Sequence, residues 1–267
     1  QYATLLGKSA DAEMYGKQAA ALETAFNARF LNREKNIYDN GTATSSALPL
    51  AFGMVPAEVR EKVFAQLVDK ILQENNGHIS TGLVGGQWLN RVLSDHGRPD
   101  VVYTMASQRT FPSWGYMIDQ KATTIWELWN GDTANPEMNS MNHVMLVGDL
   151  GIWMHEYLGG IRPDSKRPGF KQVVFRPEIV GDISYVKSSH EGPYGLIRSD
   201  WTINNGQLEW NIRVPANSRG AVIVPVNSPD LVHAPEGATF LKVEDGRCVY
   251  AVGSGRHYFE AKWPSSK

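Results

Sequence analysis

Gly159-Gly160-Ile161-Arg162-Pro163 ("GGIRP") divides the 267-residue chain, because the hydrophobic period changes across it from that of a helix to that of a strand. On its amino-terminal side, apolar residues recur every three or four positions. Tyr15, Ala19, Leu22, Phe26 and Phe30 follow Ser9 in this way. Val59, Val63, Leu67 and Ile71 follow Pro56, a residue favoured at helix starts, and Asn75-Asn76-Gly77 closes that helix. Shorter helical patterns fall around Gly86–Leu93 and Asp100–Ser107. Asn139-Ser140 predicts the cap of a further helix, with Met141, Met145 and Ile152 on one side and Gly148 and Gly151 allowing close packing. The connections, such as "HISTGLVGGQW" and "RTFPSWGYM", carry Gly, Asn and aromatic residues. Helices alternating with loops of this kind predict antiparallel helix pairs, as in an α/α barrel.

On the carboxyl-terminal side the period is two. "KQVVFRP", "ISYVKSS", "LIRSDWTI", "QLEWNIRV" and "AVIVPV" are short β-rich runs separated by turn residues. Asn204-Asn205-Gly206 signals a hairpin, and "TFLKVEDGRCVYAV" predicts another that turns at Asp245-Gly246. Short strands at this spacing predict an antiparallel sandwich. The expected organisation is therefore a helical domain over residues 1–160 and a β-sandwich over 161–267.

Composition excludes several function classes. A net charge of −2 and a pI near 6.4 give no electrostatic footprint for nucleic acid or an anionic membrane. Cys248 is the single cysteine, which rules out an internal disulfide and any cysteine-based zinc site. No apolar run approaches the roughly 20 residues of a membrane span. Gln1-Tyr2-Ala3-Thr4 has neither an initiator Met nor a signal-peptide pattern, so the chain reads as processed or excised, with its true N-terminus upstream.

Five of the eight tryptophans (Trp88, Trp114, Trp126, Trp129, Trp153) fall in the helical half, together with Tyr103, Phe111, Tyr116 and Tyr157. Aromatic faces stack on the C–H faces of sugars, but they also fill cores. Within this span "ATTIWELWNGD" (residues 122–132) sets Glu127 between two indoles. Burial of a carboxyl against apolar surface tunes it for acid–base work, although structural carboxylates are commoner than catalytic ones. Two readings of Glu127 stand on the residues alone: a catalytic carboxylate in an aromatic pocket, or an exposed charge on a short helical turn. Asp132 either orients a water or makes a turn. His143 is a candidate partner of a substrate hydroxyl, or a satisfied structural histidine. His155-Glu156 reads as a solvated helix face. His143 and His155 are twelve residues apart and lack the i, i+4 spacing of a helical metal pair, so no metal is expected. "TGLVGGQW" lacks the Lys-Ser/Thr of a P-loop, so no nucleotide cofactor is expected, and Ser113 does not sit in a G-x-S-x-G elbow, so no nucleophilic serine is expected either.

"RTFPSWGYMIDQKATTIWELWNGD" (109–132) and "MNHVMLVGDLGIWMHEYLGGIRP" (141–163) together carry a family resemblance. The chain resembles the C-terminal part of bacterial α-L-rhamnosidases of glycoside hydrolase family 78. The similarity runs over most of its length and weakens after about residue 165. It implies the later helices of an (α/α)6 barrel followed by a β-sandwich, and hydrolysis of terminal α-L-rhamnose with inversion. It implies Glu127 as the general base, His143 as a rhamnose contact, and Trp114 and Trp129 as walls of the sugar pocket. Lys121 stands where the resemblance has Gly, and Asn130 where it has Asp, which removes a negative charge beside Glu127.

Inversion requires a second carboxyl. Asp11, Glu13, Glu23, Glu34 and Asp39 lie in contexts that do not match the family's acid motif, so the acid is expected on an upstream segment of the same enzyme. The expected partners are rhamnose-containing oligosaccharides, polysaccharides or glycosides, with no nucleic acid and no membrane. The expected location is periplasmic or extracellular. Two rival functions remain at this point: another inverting α/α-barrel glycosidase, or a non-catalytic sugar-binding module.

Overall fold

What lies against Gly159 and Gly160 explains why two glycines stand side by side. Gly160 has φ +67°, the left-handed region that disfavours a side chain. A Cβ there would meet the Pro177 nitrogen at 2.3 Å, and one on Gly159 would meet Ser188 Oγ at 2.5 Å. The close approach lets the Gly160 carbonyl accept from the Arg176 N–H at 2.8 Å, which starts the first strand pair of the β half.

The computed structural model describes residues 1–143 and 146–263. Met145, expected on a helix face, lies outside the described residues. The chain forms two compact units, Gln1–Val147 and Gly148–Lys267.

The first unit is helical. Helices α1 (Tyr2–Leu5) and α2 (Ser9–Phe30) precede a small hairpin of β1 (Leu31–Asn32) and β2 (Ile37–Tyr38). Helices α3 (Ala43–Ala51), α4 (Ala57–Asp69), α5 (Leu83–Asp95), α6 (Pro99–Ala106) and α7 (Trp114–Asp119) follow. Val59, Val63 and Leu67 of α4 are buried, as their spacing requires, and so is Ile71 on the π-helical turn Lys70–Glu74 that extends it. Asn76 and Gly77, both at positive φ, end that segment, and the Gly77 N–H returns to the Ile71 carbonyl at 2.8 Å. In α2 the predicted stripe exists but no residue of it is buried: Tyr15 and Leu22 are exposed. Only its end is covered, where the Phe26 ring stacks on Tyr38 at 5.5 Å.

Helix α3 escaped the periodicity because "ATSSALPLA" holds hydroxyl residues and an internal Pro49. It is held by a Thr42 cap that accepts from the Ser45 N–H, and by packing on α5. There Gly85 lets the backbones approach so closely that a Cβ would meet Thr44 Oγ1 at 2.3 Å.

Helix α8 (Val147–Trp153), all but its first residue in the second unit, runs into a π-helical turn at Met154–Leu158. The cap predicted at Asn139-Ser140 is not one, since residues 139–143 are not helical and α8 starts only at Val147. No described helix is long and apolar enough to cross a membrane.

Strands β3 (Ile161–Pro163), β4 (Gln172–Phe175), β5 (Tyr185–Gly192), β6 (Gly195–Asn204), β7 (Gln207–Val214), β8 (Arg219–Val224), β9 (Val232–His233), β10 (Thr239–Glu244), β11 (Arg247–Val252) and β12 (Gly255–Lys262) complete the unit. They form two five-stranded sheets, ordered β10-β11-β8-β4-β3 and β5-β6-β7-β12-β9. All pairs are antiparallel except β4 with β8. That parallel pair follows from the long connection between them, which is spent building the β5–β7 meander of the other sheet. Both predicted hairpin turns occur. Asn205 and Gly206, then Asp245 and Gly246, are all at positive φ, as a two-residue turn matching strand twist demands.

Val173, Phe175, Val222 and Tyr250 of one sheet form a single buried core with Trp201, Trp210, Ile212 and Phe259 of the other. The two buried indoles satisfy their N–H groups, as buried Trp must. Trp201 donates to the Leu158 carbonyl at 2.7 Å and Trp210 to Ser199 Oγ at 2.9 Å.

Glu178 is a buried carboxylate on the segment after β4, ion-paired with Arg247 at the start of β11 and 3.6 Å from Arg176 Nε. Arg247 also donates to the Pro177 carbonyl at 3.1 Å. Removing one partner of a buried pair strands the other. Arg247→Met is therefore expected to lower stability by about 3 kcal/mol, read from urea unfolding followed by tryptophan fluorescence; an unchanged midpoint would remove the pair from its structural role.

Candidate active site

The segment around Glu127 belongs to neither a helix nor a sheet, so its backbone groups must find partners elsewhere. They find them in residues 139–143. The Glu127 N–H donates to the Ser140 carbonyl at 2.8 Å, and the His143 N–H donates to the Ile125 carbonyl at 2.7 Å. Leu128 N–H donates to Asn139 Oδ1 at 3.1 Å, and Thr124 Oγ1 donates to the Met141 carbonyl. This antiparallel lacing explains why Asn139-Ser140 cannot cap a helix: their polar groups are already engaged.

The same lacing orients the carboxylate. The Ser140 N–H donates to Glu127 Oε2 at 2.9 Å, so Ser140 holds Glu127 through both backbone and side chain. His143 Nδ1 lies 3.9 Å from the same oxygen, close enough for charge interaction but long for a hydrogen bond. Oε1 has no protein partner among the described residues, and the Glu127 side chain is 41% exposed while that of His143 is 15% exposed. Neither reading made from the residues alone fits fully. Glu127 stands at a bend and not on a helical turn, and of its two indole neighbours Trp126 is buried and Trp129 half-buried.

Gly131 lies flat on Trp126, where a Cβ would approach the indole to 2.7 Å. Trp129 is fixed from the other side, its Nε1–H donating to the Thr81 carbonyl at 3.0 Å. Trp114 and Trp129 meet edge to face, with ring centroids 5.3 Å apart and an interplanar angle of 88°. Trp114 is only 7% exposed, and its Nε1 has no hydrogen-bond partner among the described residues. The structure therefore gathers the four predicted residues as two pairs, Glu127 with His143 and Trp114 with Trp129.

Asp132 accepts from the Tyr116 hydroxyl at 2.9 and 3.1 Å on its two oxygens, and this bond raises the phenol's pKa above its ordinary value. Ser113, rejected as a nucleophile, caps α7 by accepting from the Tyr116 N–H at 2.9 Å. In the second unit His155 is not merely solvated, because its Nδ1 lies 3.2 Å from Ser188 Oγ. Sequence reasoning missed Ser140, Asn139 and Thr81. Ser140 and Thr81 act through backbone groups that every residue type possesses, so no side-chain signal marks them.

Lys121 takes φ +66° at the end of α7. Its N–H returns to the Ile118 carbonyl at 3.0 Å and the Ala122 N–H to the Met117 carbonyl at 2.9 Å, the Schellman pattern that favours Gly at this position. The departure noted in the sequence is thus a strained residue where glycine fits. Lys121→Gly is expected to raise stability by about 0.5–1 kcal/mol, the left-handed penalty less glycine's added chain entropy. Thermal unfolding would show it, and a lower Tm would contradict the strain.

Residues 1–158 match the model of the bacterial alpha-L-rhamnosidase 6 hairpin glycosidase domain, and residues 160–239 match that of the bacterial alpha-L-rhamnosidase C-terminal domain. An alpha-L-rhamnosidase of Streptomyces avermitilis is 36% identical over 96% of this chain and 25% of its own length. One of Formosa agariphila is 33% identical over 98% of the chain and 29% of its own. The crystal structure of the Streptomyces avermitilis enzyme complexed with L-rhamnose superposes with a TM-score of 0.88, covering 97% of this chain and 25% of that one, at 36% identity. The alpha-L-rhamnosidase structure from Dictyoglumus thermophilum gives a TM-score of 0.90 at 32% identity, over 97% of this chain and 30% of that one. The chain thus spans roughly a quarter to a third of the length of these relatives.

Proposed function

The chain belongs to the bacterial α-L-rhamnosidase family, and from that premise we propose that it supplies the general base of an inverting hydrolase that releases terminal α-L-rhamnose. On this reading residues 1–160 are the later helices of the catalytic barrel and residues 161–267 its C-terminal sandwich. The substrates are rhamnose-containing oligosaccharides, polysaccharides or glycosides. Polymers of that kind do not cross membranes, so we place the enzyme's action in the periplasm or outside the cell.

One observation carries the assignment: the two oxygens of Glu127 are differentiated. Oε2 is anchored by the Ser140 N–H, while Oε1 has no protein partner among the described residues and stands in a half-exposed carboxylate. A base needs that arrangement, with one oxygen fixing orientation and the other free to take a proton. In the proposed step a water oxygen forms a bond to the anomeric carbon and gives its proton to Glu127 Oε1. The glycosidic C–O bond breaks on the opposite face. Its oxygen leaves with a proton from an acid about 6.5–9.5 Å from the base, which we assign to a segment outside residues 1–267. His143, beside the carboxylate, contacts the sugar hydroxyls. Trp129, with Trp114 behind it, forms a wall of the sugar pocket.

In the enzyme carrying the complete barrel, Glu127→Gln is expected to lower kcat on an aryl α-L-rhamnoside by about 10²–10⁴-fold with KM little changed. Near-normal turnover would take the base role from Glu127. Residues 1–267 alone are expected to give negligible hydrolysis, and turnover typical of a glycosidase from this polypeptide would overturn the assignment of the acid.

A further inference from the structure

The outer face of the β5-β6-β7-β12 sheet carries a charge pattern that neither folding nor the Glu127 site uses. Arg198 of β6 stands directly opposite Arg213 of β7, which stands directly opposite Arg256 of β12. Like charges placed directly opposite across strands are destabilising, so three arginines in one row oppose the fold that presents them. All three are exposed. Arg198 has a partial counter-charge in Asp200, 3.6 Å away, while Arg213 and Arg256 have no carboxylate within ion-pair distance among the described residues.

The neighbouring row is polar. Lys187, Asp200, Asn211 and Tyr258 lie opposite one another in register. The row beyond is acidic, with Glu209 opposite Glu260, and Tyr258 donates its hydroxyl to Glu260 at 2.8 Å. The face is therefore graded from cationic to anionic. Over its cationic end lies an open cavity of about 400 Å³, lined by Arg198, Asp200, Asn211, Arg213, Arg256 and Tyr258 among others.

We propose that this cavity is a second binding site, one that holds an oxyanion-bearing stretch of saccharide on the row Arg198, Arg213 and Arg256. Adjacent strands lie about 4.8 Å apart, so the row extends roughly 10 Å, longer than one anionic group and suited to charges repeated along a chain. Guanidinium forks match carboxylates and sulfate esters equally well. Asp200 and Asn211 supply acceptors and donors for ring hydroxyls, and the Tyr258 ring offers a stacking surface. A phosphate backbone fits less well, because Asp200 lies inside the cavity, Glu209 and Glu260 stand in the row beyond Asn211 and Tyr258, and the whole chain carries a net charge of −2. That the ligand is a glycan rests on the proposed function; the anion site rests on the arginine row.

The test is affinity electrophoresis of the chain in native gels containing polygalacturonate, dextran sulfate, neutral dextran or a single-stranded DNA oligonucleotide. Retardation is expected with polygalacturonate or dextran sulfate, and whichever is stronger identifies carboxylate or sulfate as the anion. Arg213→Ala/Arg256→Ala is expected to weaken that retardation about tenfold or more, the scale of two lost charge-assisted contacts. Its Tm is expected to stay the same or rise, since like charges are removed. The Arg213→Lys/Arg256→Lys variant, which keeps the charge but loses the fork, is expected to bind with intermediate strength and to be released by salt. No retardation by either polyanion, equal retardation by neutral dextran, unchanged retardation of the alanine variant, or stronger retention by DNA would overturn the proposal. Polygalacturonate and dextran sulfate contain no rhamnosyl bond, so this outcome is separate from that of the Glu127 test.

Discussion

Ser140 holds Glu127 twice, by accepting from its backbone N–H and by donating to its carboxylate, and the candidate active site depends on that double contact. The segment from 122 to 132 has no helix or sheet to satisfy its main chain. Its backbone groups pair instead with residues 139–143, and the requirement that buried or crowded polar groups be paired becomes a device for aiming one carboxylate. A side-chain partner would have been replaceable; a backbone donor is not. The same pairing brings His143 to 3.9 Å from Glu127, across sixteen positions of sequence.

Close backbone approach is the recurrent solution elsewhere in the chain. Gly131 lies against Trp126, Gly85 against Thr44, and Gly159 and Gly160 against Ser188 and Pro177. Each glycine admits a contact that any Cβ would block. Lys121 is the counter-example, a long side chain in a left-handed position whose hydrogen-bond pattern calls for glycine. The strain is local, because a Schellman turn still closes α7 around it.

The two halves differ in how fully they bury their apolar surface. The sandwich encloses a continuous core from both sheets. In the helical unit α4 buries its stripe, while α2 leaves Tyr15 and Leu22 exposed. Periodicity reports which face of a helix is apolar; what covers that face is a separate matter. The sandwich also shows that burial is not the only force placing residues. Arg198, Arg213 and Arg256 stand in register against their own repulsion.

The sequence by itself determined what depends on neighbours a few positions apart. Helix period, strand alternation and the Asn205-Gly206 and Asp245-Gly246 turns were all legible, because each reflects local backbone preference and spacing. So was the change of architecture at GGIRP, and the motif resemblance singled out Glu127, His143, Trp114 and Trp129. Tertiary structure alone decided the rest. It denied Asn139-Ser140 their helix cap by engaging them with Leu128 and Glu127, formed α3 against weak propensity, and paired β4 with β8 in parallel. It also distinguished the two oxygens of Glu127 and aligned three arginines from three strands. Those outcomes rest on contacts between distant residues, many made by backbone atoms common to all amino acids, and no local pattern encodes them.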